Sequence, residues 1–146
     1  MIDIFPQIYK EIKERLTVFE NSEVGITLLG KRSIKVSDTY LYSSQKFPCV
    51  TVEEKNNEYA DGETDFAEKH SDLMYEINIY DNSKNKLEIC RKIATTIDGY
   101  MTGKMGFRRV MCEPYANTAD STVYRYLLRY EGYIDTETGN ISKILN

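Results

Sequence analysis

Arginine and tyrosine are concentrated in one stretch of the chain, residues 107–135 (FRRVMCEPYANTADSTVYRYLLRYEGYID). Five of the 12 tyrosines and four of the seven arginines lie there. Both side chains cover apolar area and still carry polar groups that can bond to a partner, so they often anchor protein interfaces. The stretch contains no nucleophile with its base, no set of metal ligands and no phosphate-binding loop. Its composition therefore predicts recognition rather than catalysis.

Side chains of a β-strand alternate between two faces, and the end of this stretch is strand-like. One face would carry Tyr124, Tyr126, Leu128, Tyr130 and Ile134. The other would carry Val123, Arg125, Leu127, Arg129, Glu131 and Tyr133. Three interpretations remain open: a protein interface, a core face backed by ordinary surface, and a platform for single-stranded nucleic acid, on which bases stack and arginines hold phosphates.

Residues 53–72 have the opposite charge. They hold eight acidic residues against only Lys55 and Lys69, without sustained periodicity. We expect a long solvated loop, and loops of this length in compact domains tend to be functional or disordered. An acidic loop and an arginine-rich hairpin on one chain could meet across the junctions of a head-to-tail ring.

The motifs that could support catalysis are incomplete. The only histidine, His70, lies in the acidic stretch, and no serine or cysteine is placed as its catalytic partner. DGETDFAE lacks the ligand order of a calcium loop, and GKMGF lacks the ending of a phosphate loop. We therefore predict no enzyme, no catalytic residues, no metal and no cofactor.

Length and composition favour one folded domain. The chain has 146 residues, of which 41 % are hydrophobic and 29 % charged, and a net charge of -4. That charge argues against non-specific binding to nucleic acid. Nothing approaches the ~20 apolar residues of a membrane span, and the start carries charges where a signal peptide is apolar, so we expect a cytoplasmic protein. Cys49, Cys90 and Cys112 are expected to be reduced and mostly buried.

The pattern of apolar residues gives the order of elements. Helical spacing predicts one helix to about residue 19 and another over about 84–101. SEVGITLLG is interpreted as a weak strand followed by a loop, and FPCVTVEE as a better strand. In DLMYEINIY, alternation predicts that Leu73, Tyr75, Ile77 and Ile79 are buried, and that Asp72, Glu76 and Asn78 face solvent. FRRVMCEPY and STVYRYLLRYEGYID should pair as a hairpin.

We therefore predict an α+β fold with a mainly antiparallel sheet, two helices on one face and a C-terminal β-hairpin. The polar tail, about 136–146, is expected to be flexible.

The segments KFPCVTVEEKNNE, LMYEINIYDN, GYMTGKMGFRRVMCEPYAN and STVYRYLLRYEGYID resemble the tail terminator proteins of tailed bacteriophages. These are also called tail completion or minor capsid proteins, with relatives in phage-derived contractile bacteriocins. The resemblance covers roughly residues 46–135. It implies a small α+β subunit that forms a ring, typically a hexamer, on the head-proximal end of the tail tube.

Such a ring would stop tube polymerisation and present a surface to the head connector, and in contractile systems it would also touch the sheath. The resemblance also implies assembly in the bacterial host cytoplasm and location in the tail of a virion or phage-like particle. It further implies that DNA passes through the lumen without specific binding.

Two sets of residues are hypothesised to make the contacts. The subunit interface would use Arg108, Arg109, Arg125, Tyr126, Arg129 and Tyr133. The tube or connector contact would use Asp61, Glu63 and Asp65. Two alternatives remain: a head-tail connector or stopper subunit, and a small monomeric domain that binds a peptide by strand addition.

Overall fold

The computed structural model describes residues 3–38, 46–59, 70–116, 121–135 and 141–142. The helices are α1 (Phe5–Glu20), α2 (Glu23–Leu29) and α3 (Lys86–Asp98), and α3 continues into a π-helix, Gly99–Lys104. The strands are β1 (Lys35–Ser37), β2 (Cys49–Tyr59), β3 (His70–Asp81), β4 (Arg108–Tyr115), β5 (Tyr124–Asp135) and β6 (Ile141–Ser142).

The strands form one mixed sheet, so the predicted α+β fold is confirmed. Five strands lie side by side in the order β1-β2-β3-β5-β4, and β6 pairs with the far end of β5. The pair β1 and β2 is parallel, and every other pair is antiparallel. β4 and β5 form the predicted hairpin. β3 and β5 are paired along their whole length, and this ladder is the centre of the fold.

The helices α1 and α3 pack on one face of this sheet, as predicted. Their buried residues recur at helical spacing and meet the apolar face of β3, where Leu73, Tyr75, Ile77 and Ile79 are at most 1 % exposed. The Tyr75 ring lies 6.3 Å from Phe5 and 5.5 Å from Phe107 between centroids. Its hydroxyl donates to Glu54, at 2.8 Å. The main core therefore lies between two helices and one sheet face, and a smaller buried cluster of Cys49, Tyr80 and Val123 lies on the other face.

The segment interpreted as a weak strand is a helix, α2, so that prediction was wrong. The Ser22 hydroxyl accepts a hydrogen bond from the Gly25 N–H at 3.1 Å, and Glu23 lies in the first turn. Gly30, with φ of 64°, ends the helix. The capping signals at both ends outweigh the β-branched composition between them.

Part of the stretch predicted as a loop, residues 53–72, forms strands, because β2 extends to Tyr59 and β3 begins at His70. Glu53, Glu54 and Asp72 are therefore strand residues. The strand pattern was hidden because the register shifts between Glu54 and Asn56, and a β-bulge interrupts alternation.

Two further boundaries differ from the sequence analysis. The second helix begins at Lys86 and passes into the π-helix at Gly99 instead of ending near there. Within the tail that was expected to be flexible, Ile141 and Ser142 pair with Ile134 and Tyr133. Backbone hydrogen bonds to β5 order these two residues.

Candidate interaction surface

The sheet face away from α1 and α3 carries most of the described charged and aromatic strand residues. We call it the polar face. Its members are Glu53, Lys55, Glu76, Asn78, Tyr80, Arg108, Tyr115, Arg125, Arg129, Glu131 and Tyr133. The registers of β2, β3, β5 and β4 bring these residues into rows across the strands, because directly opposed residues point to the same face.

The central row contains a cluster of charges. Arg129 donates to the Glu76 carboxylate at 2.7 Å, and Lys55 lies 3.7 Å from the same carboxylate and 2.7 Å from Glu53. The side chain of Glu76 is only 9 % exposed. Burial alone would raise the pKa of Glu76, but the hydrogen bond from Arg129 and the charge of Lys55 outweigh it and hold that pKa below its ordinary value.

Arg125 lies at the end of the polar face nearest the start of α3. Its Nε donates to Asn78 Oδ1 at 2.7 Å. The guanidinium carbon lies 4.9 Å from the Tyr115 ring centroid and 5.9 Å from that of Tyr80. These contacts combine a hydrogen bond with cation–π attraction, so they fix the orientation of a long side chain.

Glu76 and Asn78 were predicted to face solvent, and this was wrong. They are 7 % and 2 % exposed although no described helix packs on their side of the sheet. The arginines of β5 bond to them and contribute to this burial, since long side chains lie along a sheet. The pairing of Glu76 and Asn78 with two arginines could be recognised in the sequence only if the register of β3 and β5 were already known.

The six residues proposed for the subunit interface do not form one surface. Four lie on the polar face: Arg108, Arg125, Arg129 and Tyr133. Strand alternation places the other two on the helix side. Tyr126 packs against the core, and its hydroxyl accepts a hydrogen bond from Cys112 Sγ at 3.5 Å. Arg109 pairs with Asp98, at the end of α3, at 3.1 Å.

Three of the four arginines of the hairpin are paired with carboxylates of the same chain. Arg108 lies 3.3 Å from Glu131, Arg109 is paired with Asp98, and Arg129 is paired with Glu76. The hairpin therefore cannot serve as a purely cationic partner for an acidic segment. Its side chains are instead held in fixed positions by neighbours in the same chain.

The second hypothesised site, Asp61, Glu63 and Asp65, lies outside the described residues. His70 is the first residue of β3. Within the described ranges, no group of three or more histidine, cysteine, aspartate or glutamate side chains could hold a metal ion. None of the described helices is long and apolar enough to cross a membrane.

The three thiols are free, as predicted. Cys49 and Cys90 are buried, and Cys112 is half-buried. Burial raises the pKa of Cys49 to about 12 and also raises that of Cys90. Neither of these two thiols is poised as a nucleophile, because the thiolate is the reactive form.

The polar face has the chemistry of a binding surface: charged groups of both signs, ordered in rows and interleaved with aromatic rings. No protein-family model matches the sequence, and no curated protein matches it either.

Proposed function

We propose that this protein is a structural subunit that forms a ring, typically a hexamer, and caps the head-proximal end of a phage or phage-like tail tube. It stops tube polymerisation and provides the joining surface for the head connector or collar. Its role is recognition, and it uses no cofactor. The resemblance of residues 46–135 to tail terminator proteins suggests this function, and the polar face is the observation that carries it.

The polar face supports a role in assembly because its side chains are fixed before any partner binds. Arg129 is bonded to Glu76, and Arg125 is bonded to Asn78 and lies near two aromatic rings. An ordered surface loses less conformational entropy on association than one made of free side chains. Subunits that must recognise a single tube end benefit from such preorganisation.

The proposed partners are further copies of this chain, the tail tube protein, the head connector and, in a contractile system, the sheath protein. The net charge of -4 suits a lumen through which DNA passes, because like charges keep the duplex from adhering.

A second candidate function is peptide binding by strand addition at β4. Along Arg108–Tyr115, one edge pairs with β5, and no described strand pairs with the other. Pro114 suits an edge strand because proline has no N–H to donate to a further strand. A monomer at all concentrations that binds extended peptides would favour this function.

The function is tested by polymerising the cognate tail tube protein with and without this chain and measuring tube lengths in electron micrographs. We expect short tubes with a ring at one end. Tubes of unchanged length without a cap would contradict termination. Binding to the head connector with unchanged tube length would favour the connector or stopper function.

Variants of the polar face must not disturb folding. Reversing the charge of Arg129 would place an acidic group beside buried Glu76, so loss of assembly would not isolate the interface. Arg108→Ser/Tyr115→Ser is preferable, because Tyr115 is 51 % exposed and the Arg108 pair is partly exposed. The control is Val18→Ser/Val24→Ser on the helices. We expect only the first variant to lose capping, and equal capping by both would exclude this part of the polar face.

A further inference from the structure

The outward face of α3 carries a groove that the polar face does not include. Its described lining residues are Leu87, Glu88, Arg91, Lys92 and Thr95, and its volume is about 450 Å³. The opposite side of the same helix packs in the core through Ile89, Cys90, Ile93, Ala94 and Ile97. Leu87 is 56 % exposed. The groove thus offers one apolar contact and several charges.

Among the described residues, neither cation of the groove has an acidic partner. Unlike Arg108, Arg109 and Arg129, neither Arg91 nor Lys92 forms a salt bridge with any described residue. Glu88 is the one acidic residue among the described lining residues. The described lining of the groove therefore carries a net positive charge that a partner can neutralise.

The chain contains a segment of matching chemistry. Residues 60–69 (ADGETDFAEK) lie outside the described residues and carry four carboxylates against one lysine. Phe66, among these acids, supplies an apolar side chain for Leu87. Opposite charge with a central apolar anchor is the complementarity that protein interfaces use.

In one chain, the groove lies far along the sheet from the two anchors of this segment. Residues 60–69 are held at Tyr59 and His70, and at full extension their midpoint reaches at most about 18 Å from those anchors. Tyr130 pairs with Tyr75 in the sheet and donates to Asp98 at 2.9 Å, so the end of α3 lies level with Tyr75. From there α3 runs back toward the far end of β3, which puts Arg91 about 25–30 Å from His70 along the sheet.

We propose that the groove binds the acidic segment 60–69 of a second copy of this chain. The two sites lie at opposite ends of β3, so the contact is head-to-tail and repeats from copy to copy until it closes as a ring. This inference deepens the proposed function, and it rests on that function only for the closure of the ring at a tube end.

The test is titration of the full-length chain with a fluorescent synthetic peptide of residues 60–69. We expect saturable binding that weakens with salt and falls about tenfold or more in Arg91→Glu/Lys92→Glu. The control Lys10→Glu/Lys13→Glu makes the same charge change on exposed positions of α1 and should bind as the wild type does. Equal weakening in both variants, or no saturable binding to the wild type, would overturn the proposal.

A charge swap tests the same contact between whole chains. Arg91→Glu/Lys92→Glu and Asp61→Lys/Glu63→Lys should each lose intermolecular carbodiimide cross-links, and a mixture of the two variants should regain them between unlike chains. A mixture that stays without cross-links would contradict the contact. Tube capping that survives in the groove variant would reject the contact and keep the terminator function. If the wild type binds the peptide but does not cap tubes, the contact is supported and the terminator function is rejected.

Discussion

Arg129 on β5 donates to the buried carboxylate of Glu76 on β3 at 2.7 Å, although the two residues are 53 positions apart in the sequence. The side chain of Glu76 is 9 % exposed and that of Arg129 is 35 % exposed. The pair links the two longest strands on the face opposite the helices. It makes the stability of the sheet and the order of the polar face depend on the same contact.

We expect Arg129→Met to lower the free energy of unfolding by about 1–3 kcal/mol, because Glu76 stays buried with only Lys55 and Asn78 as described partners. The value lies below that for fully buried pairs because solvent screens the exposed part of the arginine. Urea unfolding followed by circular dichroism measures it. The control Arg91→Met removes an arginine that pairs with no described acidic residue, and it should stay within about 0.5 kcal/mol of the wild type. Equal losses of unfolding free energy in the two variants would contradict a stabilising role for the Arg129–Glu76 pair.

Alkaline pH should unfold the protein through buried tyrosines. Burial raises the pKa of Tyr100 to about 12 and raises those of Tyr75 and Tyr130 well above the ordinary tyrosine range. The unfolded chain therefore loses these protons at lower pH than the folded chain does. Their contribution to stability is complete below about pH 10 and declines as the pH rises above it.

The measurement for this prediction is tyrosinate absorbance during a pH titration, with circular dichroism recorded in parallel. We expect part of the tyrosine signal to appear together with loss of structure rather than before it. Full ionisation of all 12 tyrosines in a chain that keeps its circular dichroism would refute the prediction.

Gly25 should be intolerant of alanine. An added Cβ would lie 2.0 Å from the carbonyl oxygen of Phe19, so α1 and α2 would have to move apart. We expect Gly25→Ala to destabilise the protein by about 1–3 kcal/mol or more. Gly103→Ala is the matched control, because nothing lies within 4 Å of its added Cβ. Thermal melts of the two variants should differ, and equal melting temperatures would disprove the close approach.

Most of the fold was predicted from the regular spacing of apolar residues within single helices and strands. The 3.6-residue spacing in α1 and α3 and the two-residue alternation in β3 and β5 identified elements that the structure contains, including the core residues Tyr75 and Ile77. The interpretation failed for α2, where caps at Ser22 and Gly30 decide the structure. It also failed in β2, where a bulge near Lys55 disrupts the alternation.

The site was harder to predict because its contacts depend on register. Alternation put Arg125 and Arg129 on one strand face, and the structure agrees. It could not reveal that Asn78 and Glu76 lie across from them, since a shift of one residue would have turned those side chains into the core. The groove cations of α3, which pair with no described acidic residue, were missed because a charged helix surface is common and the sequence does not show which charges have partners.

The burial of two cysteines has a practical consequence for spectroscopy. Cys49 and Cys90 are enclosed, and Cys112 on β4 is the one thiol of the three with partial exposure. A maleimide fluorophore or a spin label would therefore attach at a single position of the native chain, without replacement of any residue. Cys112 lies on β4, the edge strand that pairs with β5. The label would therefore report when another molecule approaches this edge of the sheet.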